Sequence, residues 1–339
     1  MITLTRPDAR LWTPVGAHGY EREILDDATR REFLAGLAAA GLLVACGDRG
    51  GTGSAAGTVA PVRRSIVHPG GTSQIPVRAE RVVSLSEALA GHLVSVGLMP
   101  VGADEGIDSW LEPYQALLPP DVDVGAIPSA STTGAPNLEA IAALGPDLIV
   151  AETFFEEFYD RLARIAPTVL IDRPTNADWK AAFDATVDAA GRAAEAEPVR
   201  DRYRAVRDRL AGRSSEVEVA FIRNNGDGTF RIDGTSAFAG SVAADVGLAV
   251  TDAPDGVGDR SGGAVDVSDE RLDVVSGDVI VLPDRRLDLD QVEVFSQNPI
   301  WATLPAVQAG RVLPLPNPVY NGGTYVAAEL LLEAVAGVL

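Results

Sequence analysis

The sequence predicts an α/β fold built as two lobes of like architecture, and three observations carry that expectation. The first is an internal repeat. Pro136-Asn137-Leu138-Glu139-Ala140-Ile141 running to Val150, and Val267-Ser268-Asp269-Glu270-Arg271-Leu272 running to Val281, lie 131 positions apart and follow one order. Each starts with a helix N-cap residue, Asn137 or Ser268, whose side chain can accept from an amide of the first turn. A glutamate follows two residues later, then a short helix, a Gly-Pro or Ser-Gly break, an aspartate and an apolar burst that reads as a buried strand. The second observation is Val96-Gly97-Leu98, which returns as Val246-Gly247-Leu248. The third is the alternation of apolar runs with helical stretches, the pattern of a mostly parallel sheet covered on both faces. A whole unit repeated at this distance points to two lobes.

The elements follow in order. Arg64 to His68 and Ser73 to Pro76, joined by Gly70-Gly71, read as a β-hairpin. Arg81-Val82-Val83-Ser84-Leu85 is the first buried strand, and a helix from about Ser86 to Val96 stops at Gly97. Pro100–Ala103 and Val122–Gly125 are expected as short strands around an amphipathic helix from Trp110 to Leu118. After the first repeat unit come a strand from Leu148 to Ala151, a helix from Phe154 to Ile165, and the strand Thr168–Ile171 that ends the first lobe.

Asp178 to Ala194 is expected to be helical, with Trp179, Phe183, Val187 and Ala190 on one face. Pro198 suits the first position of a helix. Beyond it Val199, Tyr203, Val206 and Leu210 form a second stripe at helical spacing, assigned to a helix that links the lobes. The second lobe opens with the strand Val217–Arg223, turns at Asn224-Asn225-Gly226-Asp227-Gly228 and returns through Thr229–Ile232. A helix near Ala239–Val246, the second repeat unit, a late strand Arg311–Leu315 and a closing helix from Thr324 to Leu339 complete it.

The N-terminus sets the compartment. Thr29-Arg30-Arg31-Glu32-Phe33-Leu34 resembles a twin-arginine export motif, followed by an apolar run too short to span a bilayer. The run ends at Leu43-Val44-Ala45-Cys46, which looks like a bacterial lipobox, and Cys46 is the only cysteine of the chain. A lone cysteine forms no internal disulfide, whereas lipid attachment to its thiol fits both sequence and place. Residues 1–45 are therefore set aside as an export signal, and the Gly- and Ser-rich stretch of residues 46–63 reads as a flexible tether. The expected localisation is outside the cytoplasmic membrane, peripheral and held by lipid. The stretch before Arg30 is long and acidic for a signal peptide, which leaves the translation start open.

The chain has 28 basic and 48 acidic residues, a net charge of −20. That balance argues against nucleic acid and anionic lipid as partners. Lys180 is the only lysine, so no P-loop can be built, and no Gly-x-Ser-x-Gly elbow occurs. Beyond the signal only His68 and His92 remain, too few for a three-histidine metal site and poorly placed for a Ser-His-Asp triad. The chain is expected to be a binding protein without catalytic residues, resident metal or cofactor.

Ligands of open α/β sheets bind beyond the carboxyl ends of the strands. Those ends carry Phe154 and Phe155 in the first lobe and Arg223 in the second. Trp110, Tyr114, Phe238, Trp301 and Tyr325 lie in nearby segments and are candidates for the same cleft, with core packing as the alternative for each. Arg223 would offer a fixed positive charge to hydroxamate, catecholate or carboxylate oxygens.

The chain resembles the substrate-binding lipoproteins of ABC importers for ferric siderophores, haem and vitamin B12. The resemblance covers residues 64–339 and rests on Arg81-Val82-Val83-Ser84-Leu85, on Pro136-Asn137-Leu138-Glu139-Ala140-Ile141 with Gly145-Pro146-Asp147-Leu148-Ile149-Val150, on Ile165-Ala166-Pro167-Thr168-Val169, and on Trp301-Ala302-Thr303-Leu304-Pro305-Ala306-Val307 with Gly310-Arg311-Val312. It implies two Rossmann-like lobes joined by a single long helix, a class III periplasmic-binding-protein-like arrangement that closes little on its ligand. The lobes would span residues 64–175 and 213–339, with a helical linker at residues 176–212. It also implies capture of an iron(III)-siderophore chelate between the lobes and delivery to an ABC permease dimer with its ATPase. Vitamin B12, haem, or a non-transport role as a surface sensor are the alternatives. By motif position Glu139 and Glu270, one per lobe, would dock onto the permease. Both also sit in first helical turns, where a carboxylate complements the helix dipole by ~0.3–1 kcal/mol, and the two roles are compatible.

Overall fold

The computed structural model describes residues 62–132, 134–211, 217–252, 259–261, 264–286 and 289–339. The export motif, the lipobox and Cys46 lie outside them. The first lobe opens with the hairpin β1 (Arg63–His68) and β2 (Gly71–Pro76), followed by β3 (Val82–Leu85), α1 (Glu87–Ser95), β4 (Ala103–Asp104) and α2 (Ile107–Leu111). It continues through β5 (Ser129–Thr132), β6 (Ala135–Pro136), α3 (Leu138–Leu144), β7 (Leu148–Glu152), α4 (Tyr159–Leu162) and β8 (Thr168–Ile171). Its central sheet runs β3-β7-β8, all parallel, and all three strands are buried. Strands buried on both faces need continuous apolar runs, which Val82-Val83 and Leu148-Ile149-Val150-Ala151 supply.

The link is α5 (Trp179–Ala189) and then α6 (Ala193–Leu210), the longest helix described. They meet at a break where Gly191 takes φ +68°, and a Cβ there would stand 2.1 Å from the Val77 carbonyl oxygen. Only glycine fits. The expected linking stripe is real: Val199, Tyr203, Val206 and Leu210 are buried along α6. Pro198, however, lies inside that helix instead of opening it. The apolar stripe begins earlier, at Ala196, and packing of that face outweighs the one amide proline lacks.

The second lobe contains β9 (Glu218–Asn224), β10 (Thr229–Asp233), α7 (Phe238–Asp245), β11 (Ala249–Val250), β12 (Asp259–Ser261), β13 (Ala264–Ser268) and β14 (Val279–Pro283). After them come β15 (Arg285–Arg286), β16 (Leu289–Asp290), α8 (Gln291–Ser296), α9 (Pro305–Gln308), β17 (Val312–Leu315), α10 (Asn317–Asn321) and α11 (Tyr325–Ala336). The sheet order is β12-β13-β10-β9-β14-β17, with β11 also on β9. Strands β9, β11, β14 and β17 are parallel, whereas β10, β13 and β12 add an antiparallel wing. The wing follows from the turn at Asn224–Gly228, which returns the chain directly beside β9.

The repeat has a structural meaning. In each lobe its aspartate ties down the start of the neighbouring parallel strand. The Asp147 carboxylate accepts from the Glu80 and Arg81 amides at 2.9 and 3.0 Å, and Asp278 accepts from the Glu218 amide at 3.0 Å. The helices of the two units differ. Asn137 caps a regular helix, but Ser268 opens a 3₁₀ turn over Asp269–Val274 in which Arg271 leaves helical geometry. Other short elements also depart from expectation. Val124–Ala126 is a 3₁₀ turn instead of a strand, because Asp123 caps it by accepting from the Gly125 amide, and the strand forms at Ser129–Thr132. The helix expected over Phe154–Ile165 is a 3₁₀ turn, Thr153–Phe158, leading into α4.

Residues 60–339 form one compact unit. Each sheet has an outer apolar cluster of its own, around Val83, Ile149 and Leu170 in one and around Ile222, Phe230 and Ile280 in the other. The inner faces do not have separate cores. One cluster runs from Leu89 and Val94 of α1 through Trp179, Phe183 and Tyr203 of the link to Phe238 of α7 and Leu331 of α11. Its centre is a set of edge-to-face aromatic contacts: Tyr325 stands 4.8 Å from both Trp179 and Phe183, and 5.4 Å from Tyr203. The closing helix α11 packs on α6, α7 and α1 together, so it fastens one lobe to the other.

His92 belongs to this junction. It is fully buried on α1, its Nε2 donates to the Gly323 carbonyl at 2.9 Å, and the Thr186 hydroxyl lies 3.3 Å from Nδ1. Burial holds its pKa at about 3, against an ordinary 6.5. The neutral ring is thus favoured in the fold, and the unfolded chain binds the extra proton between those values. Stability should therefore fall as pH drops from 6.5 towards 3, by about 1.4 kcal/mol per pH unit for this one proton. Urea unfolding at pH 7 and pH 5 should show a smaller acid loss in His92→Gln than in the parent chain. Equal losses would place the acid sensitivity elsewhere.

Candidate functional site

Strand ends of both lobes meet at a cavity of about 210 Å³ lined by Arg173, Pro174, Thr175, Asn176, Arg223, Arg231, Asp233, Ala237 and Ala264. Arg173 comes from the loop after β8. Pro174 disfavours helical backbone at the residue before it, and Thr175 with Asp178 forms a capping box for the turn that leads into α5. The Arg173 guanidinium donates to both carboxylate oxygens of buried Glu152 at 3.0 Å and to Asn176 Oδ1 at 2.8 Å. Glu152 in turn accepts from Ser86, the cap of α1, so strand, helix start and arginine share one node.

The other wall is a row across three antiparallel strands. Arg223 of β9 lies directly opposite Arg231 of β10, and Arg231 directly opposite Asp266 of β13. Arg231 and Asp266 form a two-pronged pair at 2.8 and 2.5 Å, and Arg231 holds the Asp266 carboxyl below its ordinary value. Arg223 reaches Asp233 only loosely, with Nε at 3.3 Å, while the Tyr320 hydroxyl donates to Asp233 at 2.8 Å. Burial, with the nearby Asp233 charge, raises the Tyr320 pKa well above its ordinary value and keeps it a donor. Arg286 of β15 donates to the Asn224 carbonyl at 3.1 Å. Burial first, then the Arg223 and Arg231 charges, push its pKa down. Arg286 has no ion-pair partner among the described residues.

Like charges placed opposite each other across strands destabilise a sheet. A fold chosen for stability alone has no reason to pair Arg223 with Arg231, least of all with Arg286 close enough to be repelled. The arrangement suits an oxygen-rich anion, which guanidinium forks grip in two-pronged fashion. Among the described residues no group of three or more His, Cys, Asp or Glu could hold a metal ion directly.

Of the residues expected at the cleft, Arg223 lines this cavity. Phe154 is 61% exposed at the end of β7 and Trp110 is half-buried with an indole N–H that has no partner among the described residues; neither lines the cavity. The remaining five expectations are corrected. Tyr114 is buried and its hydroxyl donates to the Pro318 carbonyl at 2.6 Å. Phe155 packs in the outer cluster of the first lobe, and Trp301 stacks on Phe295 in that of the second. Phe238 and Tyr325 belong to the inner aromatic junction. Helical periodicity marks a buried face without saying whether protein or ligand buries it. Phe238→Ala should accordingly cost about 3–5 kcal/mol of unfolding free energy, read by urea denaturation, as a core truncation does. A loss below about 1 kcal/mol would return Phe238 to the cleft.

Sequence reasoning missed Arg173, Arg231, Asp233 and Arg286. A signal for two of them was present: in Thr229-Phe230-Arg231-Ile232-Asp233 the alternation puts Arg231 and Asp233 on one strand face. The contact between His68 Nε2 and Ser73 Oγ, at 3.0 Å, carries no nucleophile chemistry. Nδ1 accepts from the Gly70 and Leu170 amides, so Nε2 holds the proton and donates to Ser73, which itself donates to the Thr168 carbonyl.

Glu139 and Glu270 are both exposed. No helix among the described residues is long and apolar enough to cross a membrane.

A family model described as "Periplasmic binding protein" matches residues 82–319. The chain is 27% identical over 271 residues to the putative ABC transporter substrate-binding lipoprotein YhfQ of Bacillus subtilis, covering 76% of this chain and 82% of that one. It is 28% identical over 249 residues to the Fe(3+) dicitrate-binding periplasmic protein FecB of Escherichia coli, covering 71% and 78%. Among solved structures, Staphylococcus aureus SirA complexed with staphyloferrin B superposes with a TM-score of 0.63 at 24% identity, over 81% of this chain and 97% of that one, a likeness of fold.

Proposed function

We infer the function from one premise: the chain belongs to the periplasmic binding protein family. It is the extracytoplasmic receptor of an ABC importer, and it captures an iron(III)-siderophore chelate between its lobes. The observation that carries the ligand class is the opposed Arg223–Arg231 pair, with Arg173 across the cavity. In a chain of net charge −20, such a concentration of guanidinium groups singles out carboxylate or other anionic oxygen donors. FecB's name, an Fe(3+) dicitrate binder, supports the same chemistry. Arg223, whose Nε lacks a hydrogen-bond partner among the described residues, is assigned the chelate's oxygens, with Arg286 beside it.

Relatives named as lipoproteins support anchoring through Cys46. Residues 46–63 are assigned as tether, residues 64–175 and 213–339 as the two lobes, and residues 176–212 as the helical linker. Glu139 and Glu270 are assigned to docking on the permease dimer, one on each side. Delivery, not turnover, is the role of the cleft.

Titration of the purified protein with ferric citrate, a ferric tris-catecholate, a ferric trihydroxamate, haem and cobalamin, followed by fluorescence quenching, tests the reading. Binding of at least one ferric chelate is expected. Binding of haem or cobalamin alone would move the ligand assignment, and binding of none would overturn it.

A further inference from the structure

The arginine cavity holds a negative charge of its own, and that charge is fixed. Asp233 ends β10 and lines the cavity with a side chain only 4% exposed. Its partner is Tyr320 at 2.8 Å, whereas Arg223 stays at 3.3 Å through Nε and 3.5 Å through a terminal nitrogen. Arg231 and Arg173 are each satisfied by another carboxylate, Asp266 and Glu152. Tyr320 is itself immobilised, buried on α10 with its ring 6.2 Å from Phe221. Tyr320 and Arg223 thus share Asp233 Oδ2, the hydroxyl at 2.8 Å and Nε at 3.3 Å, and the hydroxyl takes the closer place while the ion pair stays long.

We propose that Asp233, held off Arg223 by Tyr320, is a charge filter that selects chelates of low net negative charge. The inference rests on the ferric-chelate reading above. A chelate whose oxygens reach Arg223 must also face the Asp233 anion in a poorly solvated wall. A chelate offering a hydroxyl or amine there gains a hydrogen bond, and one offering another carboxylate is repelled. Three guanidinium groups line the cavity and Arg286 stands beside them; against Glu152, Asp233 and Asp266 these four leave a surplus of one positive charge, so the wall discriminates where an arginine cluster alone would accept any polyanion.

The test compares two probes, anionic ferric dicitrate and a neutral ferric trihydroxamate, on the full chain. Asp233→Asn keeps the shape and the acceptor for Tyr320. It should improve the affinity for the anionic probe relative to the neutral one by ~10-fold or more, since like-charge opposition is removed. Tyr320→Phe frees the carboxylate to close on Arg223 and should move the same ratio the other way. A change in stability alone shifts both probes together and leaves the ratio untouched. An unchanged ratio in both variants, or a shift in the same direction in both, overturns the filter. If Asp233→Asn does not fold, as judged by its thermal transition, the Tyr320→Phe ratio decides alone. Loss of all ferric-chelate binding in the parent chain would instead sink the ligand class.

Discussion

Arg223→Ala should weaken binding of an anionic ferric chelate by about 1.5–3 kcal/mol, roughly ten- to a hundredfold, the worth of a charge-assisted hydrogen bond in a partly dry site. The side chain is 13% exposed and its nearest carboxylate, Asp233, stays at 3.3 Å, so the guanidinium keeps donor capacity for ligand oxygens. Removing the guanidinium leaves Asp233 and the incoming anion facing each other, which adds repulsion to the lost bond. Arg223→Lys retains the charge but not the planar fork, and should recover only part of the affinity. Raised salt should narrow the gap between parent and variant only modestly, because the Arg223 side chain is largely buried. Isothermal titration with ferric citrate measures all of this. Unchanged affinity in Arg223→Ala would move the ligand away from β9 and leave the opposed arginines without a role.

The double variant Glu139→Ala with Glu270→Ala should keep chelate affinity within about twofold and lose nearly all transport. Both carboxylates are exposed and neither lines the cavity, so their loss alters no cleft contact. Each opens a short helical turn behind its cap, Asn137 or Ser268, so the stability cost is limited to about 0.3–1 kcal/mol per site from the helix dipole. Two measurements separate the roles: chelate affinity of the isolated chain, and uptake of labelled iron by cells that carry the cognate permease. Lost affinity would make the glutamates part of the site. Retained uptake would end the docking assignment.

Much of the architecture is legible in the residues because it is local. Ser86, Asn137 and Thr324 announce their helices through side chains that accept from first-turn amides, as the structure has them. The buried strands are equally plain, since Val-, Ile- and Leu-rich runs of four or five have few other uses. Short connectors are harder to read: Val124 to Ala126 carries the apolar look of a strand, and only the cap that Asp123 offers to the Gly125 amide makes it a turn. The site was half-visible. Arg223 stood out as a cation ending a strand, but Arg231 and Asp233 become neighbours of Arg223 only once β10 is in register with β9. Arg173 and Arg286 arrive from loops with no periodicity to betray them. The aromatics misled for the opposite reason: Phe238 and Tyr325 carry a strong signal for burial, and the burial proved to be between helices of the protein itself.

The continuous inner core, with Tyr325 clasped by residues of the link, makes the span between the lobes a fixed gauge. A transporter that senses only where two acidic contacts fall would receive the same measurement from vacant and laden receptors. On the docking proposed for Glu139 and Glu270, recognition of a full receptor would then come from the mouth of the cleft, where the chelate itself alters the surface on offer.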